Sequence, residues 1–187
     1  MTVGLRRIGL AIVVSAATLV AGPLAVLAAL SASTADLTLG PIAYSHAQQV
    51  SSGSLTLTAA DTGVAGLGLT NSGWNVTLLS SNFAYSGPNS GSPIPASNLA
   101  IVTAHPPVRI SGQAISPVGG PRTTNVTGAL NVARKTLHAD GPTGAIILTY
   151  YGIGTYTQAI DVSLTVPGQN RAGTYTATLT VTISAGP

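Results

Sequence analysis

The alternation of side chains near the C-terminus constrains the fold of this chain more than any other feature. From Tyr175 to Ile183 every second residue is apolar, and every residue between them is threonine. Successive side chains of a β-strand point to opposite faces, so residues 172–185 are predicted to form a strand with one buried face and one face of hydroxyl groups. Residues 159–166 repeat the alternation, and the turn-forming residues 167–170 lie between the two segments. We therefore expect a C-terminal hairpin.

Shorter segments earlier in the chain show the same kind of pattern. They predict strands at 37–44, 54–60, 73–80, 99–104, 108–111, 130–138 and 145–151. Clusters of Gly, Pro, Ser and Asn separate them, notably at 86–97 and 117–124, and no segment after residue 35 has the periodicity of an amphipathic helix. The sequence predicts an all-β protein with a single antiparallel β-sandwich or jelly-roll-like domain.

The N-terminal 35 residues have the organisation of a signal peptide. Arg6 and Arg7 precede an uncharged apolar run from Ile8 to Leu30, and small residues follow at 31–35. We predict a signal peptide at 1–35 and a β-sandwich domain at 36–187, which places the mature protein outside the cell or at its surface. The alternative is an uncleaved membrane anchor, because about twenty apolar residues can span a bilayer. Gly22-Pro23 interrupts the run and favours cleavage, so membrane contact is expected only through the leader before cleavage.

The composition excludes several classes of function. Charged residues make up 6% of the chain, against about 25% in an average soluble domain. Without Arg6 and Arg7 only five basic residues remain against four acidic ones, so we expect no nucleic acid partner. Cysteine is absent, and the three His and four Asp residues have no metal-like spacing. We therefore predict no metal, no cofactor and no disulfide.

Two groups of residues could support catalysis. Asp61-Thr62-Gly63 resembles the active-site triplet of aspartic proteases, but such enzymes need two carboxylates and the chain has one triplet, followed by Val64. The alternative interpretation is an Asx turn that ends a strand. His138 and Asp140 could join a serine in a triad, but the sequence has no G-x-S-x-G motif and a turn follows them. We predict that the protein is not an enzyme; the alternative is a secreted hydrolase.

The only tryptophan of the chain is a candidate binding residue. Trp74, Val76 and Leu78 alternate along one predicted strand and therefore point to one face. One interpretation is a core tryptophan on a central strand, which would need a partner for its indole N–H. The other interpretation is an aromatic platform for a glycan or another polymer.

Five short segments occur in an order that is shared with a known family. They are Leu55-Thr56-Leu57-Thr58 with Asp61, Gly73-Trp74-Asn75-Val76, residues 94–99, residues 162–167 and residues 172–179. This order resembles the WxL domain of bacterial cell-surface proteins and covers most of residues 36–185. The resemblance implies a secreted, β-rich protein that associates non-covalently with cell-wall polymer or with surface proteins, and it makes Trp74 and Val76 the binding candidates. Val76 replaces the leucine of the first motif, and residues 180–183 lack the tryptophan of the second.

A second function from another class is a structural subunit of an extracellular fibre or pilus. Such subunits can assemble by donating a strand to the open sheet edge of a neighbour. The segment directly after the leader alternates as a donor strand requires and consists of Asp36, Leu37, Thr38, Leu39 and Gly40. Signal cleavage would free it for self-assembly. The alternative is that it forms the first strand of its own sandwich.

Overall fold

The computed structural model describes residues 7–15, 30–63, 72–144 and 149–186. Within them the chain forms thirteen strands and one 3₁₀ turn, Ala96–Asn98. The strands are β1 Arg7–Ser15, β2 Leu30–Thr34, β3 Ile42–Ala43, β4 Gln49–Asp61, β5 Trp74–Ser80, β6 Ala84–Ser86, β7 Leu99–Ala104, β8 Val108–Gly112, β9 Arg122–Thr123, β10 Gly128–Ala129, β11 Arg134–Ala139, β12 Gly154–Val166 and β13 Thr174–Ala185. Residues 1–6 and 16–29 of the predicted leader, and 145–148 of one predicted strand, lie outside the described residues.

The described strands form two sheets that enclose one core. The first sheet has the order β3-β1-β13-β5-β11-β9, with β6 also paired to β13. The second has the order β10-β7-β12-β4-β2, with β8 also paired to β12. Every pairing is antiparallel except that of β1 with β13. Buried residues from both sheets form one apolar cluster, so the prediction of an all-β sandwich is confirmed.

Alternation decides which side chains enter this core. On β13 the residues Tyr175, Ala177, Leu179 and Val181 are buried, while the threonines between them face outward. β4 and β12 pair along thirteen residues each and supply the longest ladder of the second sheet. Burying one large aliphatic or aromatic side chain contributes about 1.5–3 kcal/mol, so these rows of inward residues are the main source of stability.

The predicted C-terminal hairpin is wrong, because β12 and β13 lie in opposite sheets. β12 is paired with β4 on one edge and with β7 and β8 on the other, so it has no edge left for β13. The connection at 167–173 crosses between the sheets instead. The buried side chain of Asn170 fixes this crossing by donating to the Tyr175 hydroxyl at 3.2 Å and to the Ser92 carbonyl at 3.3 Å. The Tyr175 hydroxyl in turn donates to the Arg171 carbonyl at 3.0 Å.

The predicted leader contributes strands in the described residues. Both β1 and β2 lie before residue 36 and are incorporated into the two sheets. The predicted boundary between leader and domain therefore does not coincide with the edge of the sheets. Among the described residues no helix has the length and apolar character needed to span a membrane.

Candidate functional site

One side of the sandwich is closed by the two strands that come from the predicted leader. β1 runs parallel to β13, from Gly9 beside Thr174 to Ser15 beside Thr180. β2 runs antiparallel to the last five residues of β4, from Leu30 to Thr34. β2 also contacts β13, so the two closing strands lie on the same side of the sandwich. Cleavage after residue 35 would remove both and open the outer edges of β13 and β4 together.

The outer edge of β13 has a defined chemistry. Its inward side chains at the positions that β1 covers are Tyr175, Ala177 and Leu179, and all three are buried. Its outward side chains there are threonines, and β13 contains no charged residue and no proline. Residues that lie side by side on neighbouring strands point to the same face. The edge therefore suits an uncharged strand with apolar residues at alternate positions.

The donor candidate 36–40 follows the closing strand β2 and packs over Gly53 of β4. Leu37 and Leu39 are 4% and 1% exposed and belong to the core, while Asp36, Thr38 and Gly40 are exposed. The segment has the alternation that the sequence predicts, but it forms no ladder of its own. The predicted strand at 37–44 is reduced to the two residues of β3, which pair with the start of β1.

A hydrogen bond and apolar packing join the segment to β4. Ser51 donates its hydroxyl to the Gly40 carbonyl at 3.2 Å. Gly53 on β4 leaves the space that the two leucines fill, because a Cβ atom there would lie 2.7 Å from Leu39 Cδ2 and 3.0 Å from Leu37 Cδ1. The donor candidate therefore occupies the core of its own chain through two side chains and without a strand ladder.

Trp74 and Val76 are both completely buried. The indole Nε1 of Trp74 donates to the Gly152 carbonyl at 3.1 Å, and its ring lies 6.4 Å from that of Tyr156. This satisfied indole is what the core interpretation predicted. Neither residue presents a surface to a polymer, so the binding role that the WxL resemblance implies for them has no exposed side chain to act through.

His138 and Asp140 meet an arginine instead of a serine. Arg122 donates from Nη2 to Asp140 Oδ2 at 2.7 Å and from Nε to His138 Nε2 at 3.0 Å. Burial, reinforced by the charge of Arg122, lowers the pKa of His138 below its ordinary value of 6.5. Because Nε2 accepts from Arg122, the neutral ring carries its proton on Nδ1, which is buried without a hydrogen-bond partner in the described part of the chain. The cluster joins β9 to β11 and leaves Nε2 occupied, so it is not arranged as a general base.

The other acidic residues also have structural partners. His105 Nε2 lies 2.7 Å from Asp161 Oδ2 in a half-exposed pair, and the hydrogen bonds from His105 and then Ser54 lower the pKa of Asp161. The Gly63 N–H donates to Asp61 Oδ1 at 2.8 Å, which is the Asx turn at the end of β4 that the turn interpretation predicted. In the ranges that the structure describes, no three residues of the metal-ligating types come together to hold an ion.

Comparison with models of known protein families gives no match for this chain. Comparison with curated proteins gives no significant match either. The WxL resemblance therefore stays a prediction from the five segments that carry it.

Proposed function

We propose that this protein is a non-enzymatic, secreted structural subunit that assembles with further copies at the cell surface by strand addition. One observation carries the proposal: β1 and β2, which close the outer edges of β13 and β4, both lie inside the predicted leader. A sheet edge presents a row of N–H and C=O groups that readily pair with another chain. Signal cleavage would therefore turn a closed sandwich into one with two open edges on one side.

Leader removal also uncovers apolar surface. Leu30 and Ala32 of β2 pack against the core and would be lost with it. Each buried methylene group contributes about 0.8 kcal/mol, so the exposed groove between β4 and β13 favours a replacement strand with apolar side chains. The incoming strand would add backbone hydrogen bonds and restore the buried surface in one step.

The low charge of the chain supports close approach of copies. Only 6% of residues are charged, and the edge of β13 carries none. Charged or proline residues on an edge strand are the usual protection against pairing between molecules. Their absence from this long edge supports assembly as its function.

Electron microscopy of material purified from the cell surface tests the proposal. We expect filaments or sheets from the natural chain and from the control Thr38→Ser, in which only an exposed methyl group is removed. The double variant Leu37→Ser with Leu39→Ser should lose them while its circular dichroism is still that of a β protein. A uniform monomer from the natural chain after leader cleavage would contradict the proposal.

Association with cell-wall polymer is the second candidate function. Exposed hydroxyl groups form rows on both sheets, at Ser52, Ser54 and Thr56 on β4 and at Thr180 and Thr182 on β13. Such neutral donors and acceptors suit the hydroxyl groups of a glycan. Co-sedimentation of the purified mature protein with isolated walls tests this, and complete recovery in the supernatant would exclude it.

A further inference from the structure

We infer that the outer edge of β13, from Thr174 to Thr178, accepts residues 36–40 of a second copy as a parallel strand. In this arrangement Leu37 lies beside Tyr175 and Leu39 beside Ala177. The inference rests on the proposed function and adds to it the acceptor edge, the donor segment and their register.

The pairing of β13 identifies the acceptor edge. Its inner edge is occupied by β6 at residues 174–176 and by β5 at residues 179–185. Its outer edge pairs, within the described part of the chain, with β1 over seven consecutive residues. Because β1 belongs to the predicted leader, a mature chain has a vacant edge here that already fits a parallel strand.

The pattern of burial identifies the register. Along 174–178 the buried residues are Tyr175 and Ala177, which alternate with threonines. Along 36–40 the alternation is the same, with Leu37 and Leu39 at the apolar positions. A slip by one residue would turn both leucines to solvent and Asp36 toward the core, which is costly for a charge. In the stated register Asp36 lies beside Thr174, the first residue of β13. The exposed cation Arg171 precedes this end of the strand.

Leader cleavage would make the donor available as well as the acceptor. In its own chain the segment 36–40 packs Leu37 and Leu39 over Gly53, and the Gly40 carbonyl accepts a hydrogen bond from Ser51. The next strand, β3, pairs with β1 and so loses its described partner when the leader is removed. Transfer to a second copy buries the two leucines again and adds a strand ladder that the segment lacks in its own chain.

Disulfide trapping tests the inference on a clean background, because the chain contains no cysteine. Thr38→Cys and Thr176→Cys are introduced in separate chains, secreted, mixed and mildly oxidised. Neighbouring strands lie about 4.8 Å apart, which is within the Cα separation of about 4.4–6.8 Å that a disulfide needs. Thr38→Cys mixed with Thr103→Cys, an exposed position on β7 in the other sheet, is the matched control. We expect about tenfold more cross-linked dimer from the 38/176 mixture than from the control, because strand pairing raises the local thiol concentration.

A second mixture determines the direction of the donor. Asp36→Cys should cross-link with Thr174→Cys if the strands are parallel. Preferential cross-linking of Asp36→Cys with Thr178→Cys would overturn the parallel register.

The remaining outcomes separate this inference from the proposed function. If filaments form but the 38/176 mixture stays at the level of the control, another edge is the acceptor and the inference is wrong, while strand addition stands. A single chain that carries both Thr38→Cys and Thr176→Cys distinguishes the remaining case. If it forms an internal disulfide while the mixture gives no dimer, the segment covers its own β13 and the inference is also wrong. Absence of both filaments and cross-links overturns the two together.

Discussion

Substitution of Gly53 tests whether two leucines hold the donor segment in its own core. A Cβ atom at this position would lie 2.7 Å from Leu39 Cδ2 and 3.0 Å from Leu37 Cδ1. Both contacts involve the ends of flexible side chains, so Gly53→Ala can be accommodated by small movements. Gly53→Val adds two further methyl groups in the same space, and we expect it to displace the segment.

The expected loss of stability follows from the burial of the two leucines. Leu37 and Leu39 are 4% and 1% exposed, and transferring two such side chains to water costs about 3–6 kcal/mol. Replacing a strand glycine stabilises the folded state by about 0.5–1 kcal/mol, because the unfolded chain then has less conformational entropy. The net decrease for Gly53→Val is therefore about 2–5 kcal/mol, whereas Gly53→Ala should stay within about 1 kcal/mol.

Denaturant unfolding of the leader-cleaved protein measures this difference. The single tryptophan, Trp74, is buried and reports global unfolding by its fluorescence. Light scattering follows assembly in parallel. Gly53→Val releases an intact donor, so its filaments should form faster than those of the natural chain. The control Leu39→Ala should lose about 2–5 kcal/mol as well, but it damages the donor and should assemble more slowly.

Two results would refute the reasoning. If Gly53→Val unfolds at the same denaturant concentration as the natural chain, the leucines do not pack over Gly53. If Gly53→Val and Leu39→Ala change the rate of assembly in the same direction, release of the segment does not limit assembly.

Three further predictions concern the core and the partly buried His138. Trp74→Phe leaves the Gly152 carbonyl without its donor, so denaturation should show a free energy of unfolding lower by about 1–3 kcal/mol. Co-sedimentation with isolated walls should show unchanged retention of the folded fraction. Gly152 has a φ of 76°, and a Cβ atom there would lie 2.5 Å from that of Ala139. Gly152→Ala should therefore lower the free energy of unfolding by about 1–3 kcal/mol, measured by thermal melting. An unchanged melting temperature would contradict the packing. Because burial and Arg122 lower the pKa of His138, the unfolded chain binds the proton first, and stability should fall as the pH drops below 6.5. His138→Gln should flatten this dependence in denaturant titrations between about pH 5 and 8, and an unchanged slope would exclude His138 as its source.

The positions of four strands could be predicted because period-two alternation is a local property, whereas the two longest, β4 and β12, begin five residues before the predicted segments. β5, β7, β8 and β13 begin and end within two residues of the predicted segments. The partners of these strands could not be predicted in the same way. Turn-forming residues at 167–170 indicate a reversal of the chain, but the sheet that the next strand joins depends on which edges are already filled. β4 fills the edge of β12 that the predicted hairpin required.

The candidate site could be predicted only in part. The alternation at 36–40 is visible in the sequence, but the acceptor edge depends on β1, whose residues are almost uniformly apolar and have no period of two. The sequence pairs His138 with Asp140 but does not place Arg122 beside them, because β9 is only two residues long and gives no pattern.

The other sheet edges explain why the edge of β13 is distinctive. Three of the outermost strands have only two residues each, which is too short to support another strand. They are β3 and β9 in the first sheet and β10 in the second. β8 is longer, but Arg109 lies within it and Pro107 directly precedes it. By contrast, β13 offers seven consecutive neutral residues to β1. The outer edge of β4 is also long, but Asp61 lies within the part that β2 covers. The uncharged edge of β13 therefore relies on its covering strand. In the proposed function, the predicted leader supplies that strand before cleavage and a second copy supplies it afterwards.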